Sequence, residues 1–245
     1  LWRTGPHLTH LTLNNLSTED CRLLVGRVVG DKALPPEVMD KILSRADGVP
    51  LFIEELTKAV LTSDALEETA DGYRLADDVA ALEVPTTLHD SLLARLDRLG
   101  PAKELAQFAA TIGRNFSLAL LAASSRWSKK DLDTALDALM NAEIVYERRS
   151  GDGVSYVFKH ALVREAAYQS LLKSVRQEHH KRIARTIETH LPHVAATQPE
   201  VVAQHLTEAG LGAVALSHWQ KAGANAARRY ANLEALRHQI GRAHV

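Results

Sequence analysis

The pattern of apolar and polar positions along the chain predicts a protein built mainly of helices. Apolar residues recur at helical spacing in a run that opens at the cap residue Ser17 and stops at Gly30. A second helix is predicted from Pro35 onward, and a third over residues 51–61. Pro50 suits the start of the third helix, because a proline in the first turn costs no intrahelical hydrogen bond.

Strand signals in the first hundred residues are short. Residues 7–13 alternate apolar and polar side chains, which predicts a strand. Residues 63–84 are rich in acids and predict a solvated excursion, in which residues 72–75 form a short strand. Pro85 restarts a helix whose leucines follow at helical spacing.

Gly100 and Pro101 mark a domain boundary in the pattern. Beyond it, three compact helices are expected, followed by two strands. The turn between those strands is a strong hairpin signal, with glycines at positions 151 and 153. Three helices followed by a hairpin is the outline of a winged-helix domain. The helices are predicted at 102–112, 117–123 and 129–141, and the strands at 143–149 and 154–158.

From His160 onward the pattern is helical again. Small residues recur in the last segments, for example around Trp219 and Ala222, as in the helical hairpins of tetratricopeptide-like (TPR-like) repeats. The chain has room for about one such repeat unit. The helices are predicted near 160–172, 175–190, 199–209, 212–229 and 231–239.

The amino-acid composition argues against several classes of function. Lys plus Arg number 29 and Asp plus Glu 30, a balance that argues against nucleic-acid binding by bulk electrostatics. The single cysteine, Cys21, excludes an intramolecular disulfide and fits a reducing cytoplasmic location. The sequence holds no apolar run near the ~20 residues of a membrane span, and no membrane association is expected.

Both ends of the sequence suggest a piece of a longer protein. The chain begins with Leu1 rather than methionine. The last six residues, 240–245, read IGRAHV, which matches the translation of a common sequencing adapter. We therefore expect this tail to be an artefact and leave it out of the fold prediction.

Side chains that could carry chemistry are few, and no catalytic residue is assigned. The sequence holds no phosphate-binding loop of the form GxxxxGK[ST]. Glu54 and Glu55 are interpreted as acids favoured by the dipole of the first helical turns. The histidines, among them His205 and His218, are interpreted as packed or solvated side chains, so no metal site is predicted.

A basic run near the predicted hairpin leaves two interpretations. It could contact DNA, since winged helices can bind nucleic acid. Its spacing scatters the charges around a helix, however, which favours a solvated surface. The run consists of Lys173, Arg176, His179, His180, Lys181, Arg182 and Arg185.

Several segments resemble one family of proteins. Residues 47–57, DGVPLFIEELT, resemble the Gly-x-Pro region of STAND-type signalling ATPases of the AAA class. Residues 85–99, PTTLHDSLLARLDRL, resemble the segment that follows it, and residues 157–168, VFKHALVREAAY, resemble the helix after the hairpin. With 198–200 and 205–210, the resemblance points to regulatory ATPases fused to a class III adenylate/guanylate cyclase domain.

The resemblance implies cofactor-binding roles for three residues. Pro50 matches the proline that packs near the nucleotide base, and Gly48 allows close approach of the backbone. His160 matches a winged-helix histidine that reaches the phosphates of bound ADP. The implied cofactors are ATP and ADP, with Mg²⁺ in the longer parent protein. Without a phosphate loop, this chain alone is expected to bind ATP only in about the millimolar range.

The implied architecture is mainly α, with one winged helix. Residues 1–14 would end a nucleotide-binding α/β domain, 15–100 form the helical lid, 101–159 the winged helix and 160–239 the TPR-like region; 240–245 is the artefact. The implied partners are nucleotide-binding and cyclase domains of the same polypeptide, and a protein that binds the helical arm. The alternatives are a fragment of a DNA-binding transcriptional regulator and a non-catalytic interaction scaffold.

Overall fold

The protein is mainly helical, with two small antiparallel sheets. The computed structural model describes residues 12–30, 32–63, 65–69, 72–76, 85–151 and 153–229. The chain divides into two compact units, Leu1–Arg95 and Leu96–Val245.

Among the described residues of the first unit, four helices begin at the positions that the caps and prolines predict. The Ser17 hydroxyl accepts a hydrogen bond from the Asp20 amide of the first helix, at 3.2 Å. The second and third helices each carry a proline in the first turn, where its fixed φ suits the helix. The helices are α1 (Thr18–Val29), α2 (Pro36–Ala46), α3 (Pro50–Leu61) and α4 (Leu88–Asp97).

The described part of the acid-rich segment after α3 holds two short strands. They are β1 (Leu66–Glu68) and β2 (Tyr73–Leu75), which pair antiparallel. Of these only β2 was predicted. The strand predicted over 7–13 lies mostly outside the described residues, and residues 12 and 13 form no strand.

The core of the first unit is formed by one face from each of α1, α2 and α3. Its fully buried side chains include Val25, Ile42 and Leu56. Burying a side chain of this size stabilises a fold by about 1.5–3 kcal/mol. This packing holds the turn between α2 and α3 in place, and that turn carries the Gly-x-Pro residues.

The second unit opens with three helices and a three-stranded sheet. The strand order is β3-β5-β4, and both pairings are antiparallel. The strand β3 over residues 115–117 was not predicted, and the helix expected from residue 117 begins just after it, at Leu118. The elements are α5 (Ala102–Ile112), β3 (Asn115–Ser117), α6 (Leu118–Ser124), α7 (Lys129–Asn141), β4 (Val145–Ser150) and β5 (Gly153–Phe158).

Within residues 159–229, five helices follow the sheet. The short α10 was not predicted, and the helix expected at 231–239 lies outside the described residues. The helix α11 packs against both α9 and α12. These helices are α8 (Ala161–Gln169), α9 (Lys173–His190), α10 (Pro192–Thr197), α11 (Pro199–Glu208) and α12 (Gly212–Arg228).

Candidate functional site

The turn that carries Gly48 is a tight left-handed connection between α2 and α3. Asp47 and Gly48 have φ values of 47° and 71°, a region that glycine occupies at little cost. The Leu16 amide donates a hydrogen bond to the Gly48 carbonyl, and the Asn15 amide group donates one to the Asp47 carbonyl, both at 2.8 Å. The backbone that approaches Gly48 closely is therefore that of residues 15 and 16.

Replacing Gly48 with alanine is expected to destabilise the protein by at least about 1–3 kcal/mol. A Cβ atom at Gly48 would lie 2.6 Å from the Leu16 carbonyl oxygen, which is backbone and cannot move aside cheaply. Gly26 provides the matched control, because a Cβ there meets nothing within 4 Å and Ala favours a helix interior. Urea unfolding should show a lower free energy of unfolding for Gly48→Ala and a slightly higher one for Gly26→Ala. Equal effects of the two substitutions would contradict the close backbone contact at Gly48.

Pro50 starts α3, with an exposed side chain. Glu54 and Glu55 lie in the second turn of this helix, beyond a first turn that holds no acid. Glu55 is 2% exposed and pairs with Arg95 of α4, so its environment is an ion pair rather than the helix dipole that the sequence analysis expected. Burial raises the pKa of Glu55, while the Arg95 guanidinium acts in the opposite direction.

His160 lies in the second unit, at the junction between β5 and α8. It is the N-cap of α8, with extended backbone angles, φ −125° and ψ 138°, and its side chain makes no capping hydrogen bond. Its neighbour Lys159 is tied to the sheet, because the Lys159 amide donates to the Ile144 carbonyl at 3.0 Å. The hairpin therefore fixes the backbone position of this half-buried histidine.

A chain of three polar side chains lies deeper in the second unit. The Tyr168 hydroxyl is 3.0 Å from Nε2 of His180, and Nδ1 of His180 is 2.7 Å from Nδ1 of His205. The three side chains come from α8, α9 and α11. The hydrogen bonds therefore join three helices, and both histidine rings are buried.

Both histidines are held neutral. Burial lowers the pKa of His180 to about 3, with the neighbouring His205 as the second cause, and lowers the pKa of His205 to about 4. A hydrogen bond between two Nδ1 atoms needs one donor and one acceptor, which two neutral rings supply. The two rings can therefore exchange the donor and acceptor roles. When His180 changes its role, the Tyr168 hydroxyl changes from donor to acceptor, or the reverse, toward Nε2 of His180.

The three side chains line a cavity of about 550 Å³. Its wall also includes Arg164, whose guanidinium donates to the Ala110 carbonyl at 3.3 Å, and Glu208. A cavity of this volume can hold a small molecule. A tyrosine hydrogen-bonded to two neutral histidines can relay a proton through the chain of hydrogen bonds. The same hydrogen bonds can also serve only to hold the three helices together.

The basic run of α9 differs from its prediction as a solvated surface. The guanidinium carbon of Arg182 lies 4.4 Å from the centre of the Phe108 ring, and that of Arg176 lies 5.0 Å from the centre of the Tyr168 ring. His180 is fully buried. Removing these charges would therefore remove packing as well.

The site residues that the sequence predicts are divided between the two units. Gly48 and Pro50 belong to the first unit and His160 to the second. The pairing of His180 with His205 was missed, because 25 residues separate them. The one signal was that both histidines fall at apolar positions of their predicted helices.

The described part of the chain offers neither a metal-binding cluster nor a membrane-spanning helix. No group of three or more His, Cys, Asp or Glu side chains there could hold a metal ion. No helix in the same ranges is both long enough and apolar enough to cross a membrane.

Comparison with known proteins gives one informative match. No model of a known protein family matches the chain. An uncharacterized protein of Rhizobium meliloti (strain 1021) is 30% identical over 237 residues, which cover 96% of this chain. The chain spans 22% of that relative's length, so it is similar to one segment of a much longer protein.

Proposed function

We propose that this chain is the regulatory part of a STAND-type signalling ATPase, and that it controls a fused adenylate/guanylate cyclase through nucleotide-dependent switching. Its lid would carry Gly48 and Pro50, and its winged helix would present His160 to ADP. The helical arm would receive the signal. The longer polypeptide would supply the phosphate loop, Mg²⁺ and the cyclase.

The observation that carries this proposal is the order of elements in the second unit. Three helices, a strand between the first two, and a terminal hairpin give the sheet order β3-β5-β4. This order is typical of a winged helix. His160 follows the last strand of that sheet directly, which is where the resemblance requires the phosphate-sensing histidine.

Two further observations support the proposal. The antiparallel packing expected of a helical hairpin repeat fits α11 and α12, which are joined by the short turn at Gly210 and pack on each other. The relative in Rhizobium meliloti is long enough to hold the additional domains, because this chain matches 22% of it.

A DNA-binding role is less well supported by the charges on the winged helix. In such domains the third helix, here α7, enters the major groove. The exposed side chains of α7 include Asp131, Asp133 and Asp137, and carboxylates repel the phosphate backbone. Salt-dependent binding of duplex DNA by this chain would nevertheless favour the transcriptional regulator over the ATPase.

The proposal predicts that His160→Ala in the whole protein containing this chain weakens ADP binding by about tenfold and ATP binding less. A histidine that donates to a phosphate of ADP stabilises the resting state by about 1–3 kcal/mol. Losing it should shift the population toward the signalling form and raise basal output. Calorimetry with each nucleotide measures the two affinities.

The matched control is His193→Ala, at an exposed histidine of α10 in the same unit. It should leave both affinities unchanged. If His160→Ala lowers the melting temperature but leaves the ADP-to-ATP preference as it was, His160 is a structural residue and the proposed switch is wrong. If the whole protein binds neither nucleotide, the interaction scaffold becomes the better assignment.

A further inference from the structure

A second cavity in the second unit is lined by residues of α9 other than those that line the histidine cavity. It has a volume of about 390 Å³. The helix α9 contributes Val175, His179 and Arg182, which are spaced on one helical face, and α5 contributes Phe108. The connection between α6 and α7 closes the cavity with residues 125–127.

Three polar atoms of the cavity lining are buried without a hydrogen-bond partner. They are the Ser125 hydroxyl oxygen, Nδ1 of His179 and Nε of Arg182. Buried polar groups are normally paired, because an unpaired one costs about 1–3 kcal/mol. Three such atoms around one cavity offer hydrogen-bonding positions to a ligand with polar groups.

The lining of this cavity carries more cations than carboxylates, and Glu178, outside the lining, also acts on Arg182. Arg126 and Arg182 both line the cavity, and neither forms an ion pair with a residue that the structure describes. Burial, with the nearby Arg126 as the second cause, lowers the pKa of Arg182. Glu104 also lines the cavity, as an exposed side chain. Two cations against one exposed carboxylate favour an anionic ligand.

The position of Arg182 is fixed by aromatic packing. Its guanidinium carbon lies 4.4 Å from the centre of the Phe108 ring, and the His179 ring meets the same ring edge-on at 4.9 Å. Phe108 itself is buried. A guanidinium held in this way offers its donors without first losing side-chain freedom.

We propose that this cavity binds a small molecule in which a phosphate or carboxylate group is joined to a planar apolar body. The planar fork of Arg182 and the charge of Arg126 match an oxyanion, and the Ser125 hydroxyl adds a donor. Leu171, Val175 and the Trp127 ring provide the apolar wall for the body. This site is independent of the proposed nucleotide switch.

Phenyl phosphate is the probe, titrated against the 245-residue chain in calorimetry, with phenol and inorganic phosphate as its two halves. We expect phenyl phosphate to bind more tightly than either half. Arg126→Gln should weaken it by about tenfold, whereas Glu104→Gln should tighten it by about twofold. Both side chains are exposed, so the fold should survive, and circular dichroism checks that it does.

Lys130→Gln is the matched control, because Lys130 is an exposed cation of α7 outside the cavity. It should leave the affinity unchanged. The proposal is overturned if phenyl phosphate fails to bind at about 10 mM, if Lys130→Gln weakens binding as much as Arg126→Gln, or if phenol binds as tightly as phenyl phosphate. If inorganic phosphate binds as tightly as phenyl phosphate, the proposed ligand needs no apolar body and that part of the proposal is wrong.

Discussion

Replacing Arg95 with methionine is expected to lower the free energy of unfolding by about 3–5 kcal/mol at neutral pH. The variant leaves the Glu55 carboxylate in the core without its partner, and that carboxylate is 2% exposed. Burial already raises the pKa of Glu55 in the native protein. Chemical unfolding monitored by circular dichroism measures the loss.

Two controls separate the buried charge from general effects. Arg74→Met removes one partner of the exposed pair with Glu67, and exposed pairs contribute about 0–1 kcal/mol. The double variant Glu55→Leu and Arg95→Leu removes both buried charges and should cost much less than Arg95→Met. A double variant as unstable as the single one would show that packing, not the orphaned charge, causes the loss.

The cost of Arg95→Met should also depend on pH in a defined direction. The folded-state pKa of Glu55 lies above its unfolded value, and removing the guanidinium raises it further. A raised carboxyl pKa means that stability is lost as pH rises through that pKa. The variant should therefore come closer to the native protein in stability as the pH falls toward 5.

Acidification from pH 7 to pH 5 is expected to destabilise the second unit strongly, through the paired His180 and His205, with a further contribution from His179, whose pKa burial lowers to about 4. The folded pKa values of His180 and His205, about 3 and about 4, lie below the unfolded value of 6.5. Below pH 6.5 the unfolded chain takes up protons that the folded protein excludes, so stability falls as the pH falls. At pH 5 the cost is on the order of 2 kcal/mol for each histidine.

Urea unfolding at pH 7, 6 and 5 measures this slope. His205→Gln removes one titrating ring and keeps an amide that can bond Nδ1 of His180, so the slope should become shallower. His193→Gln, at an exposed histidine, should keep the native slope. If His205→Gln leaves the slope unchanged as well, the buried pair does not govern acid stability.

The sequence alone predicted most helix positions, because their limits are set by local chemistry. Ser17 and Ser128 cap α1 and α7 with their own hydroxyls, and Pro50 begins α3. The hairpin β4-β5 followed from its glycine turn. Each of these features depends on residues only a few positions apart, so it can be recognised in the sequence alone.

The parts that sequence analysis missed depend on distant partners. The strand β3 has three residues, too few to show an alternating pattern, and it exists by pairing with β5. Glu55 meets Arg95 across 40 residues, and His180 meets His205 across 25. Nothing near any of these residues in sequence indicates its partner, so both buried pairs could be identified only in three dimensions.

The strand β3 also has a consequence for the order of folding. The hairpin β4-β5 closes through a short turn, an event of about 1–10 μs in isolated hairpins. Pairing of Phe116 with Tyr156 must close a loop of about 40 residues that contains α6 and α7. We therefore expect β3 to join the sheet after the rate-limiting barrier, so that substitutions at Phe116 accelerate unfolding far more than they slow folding.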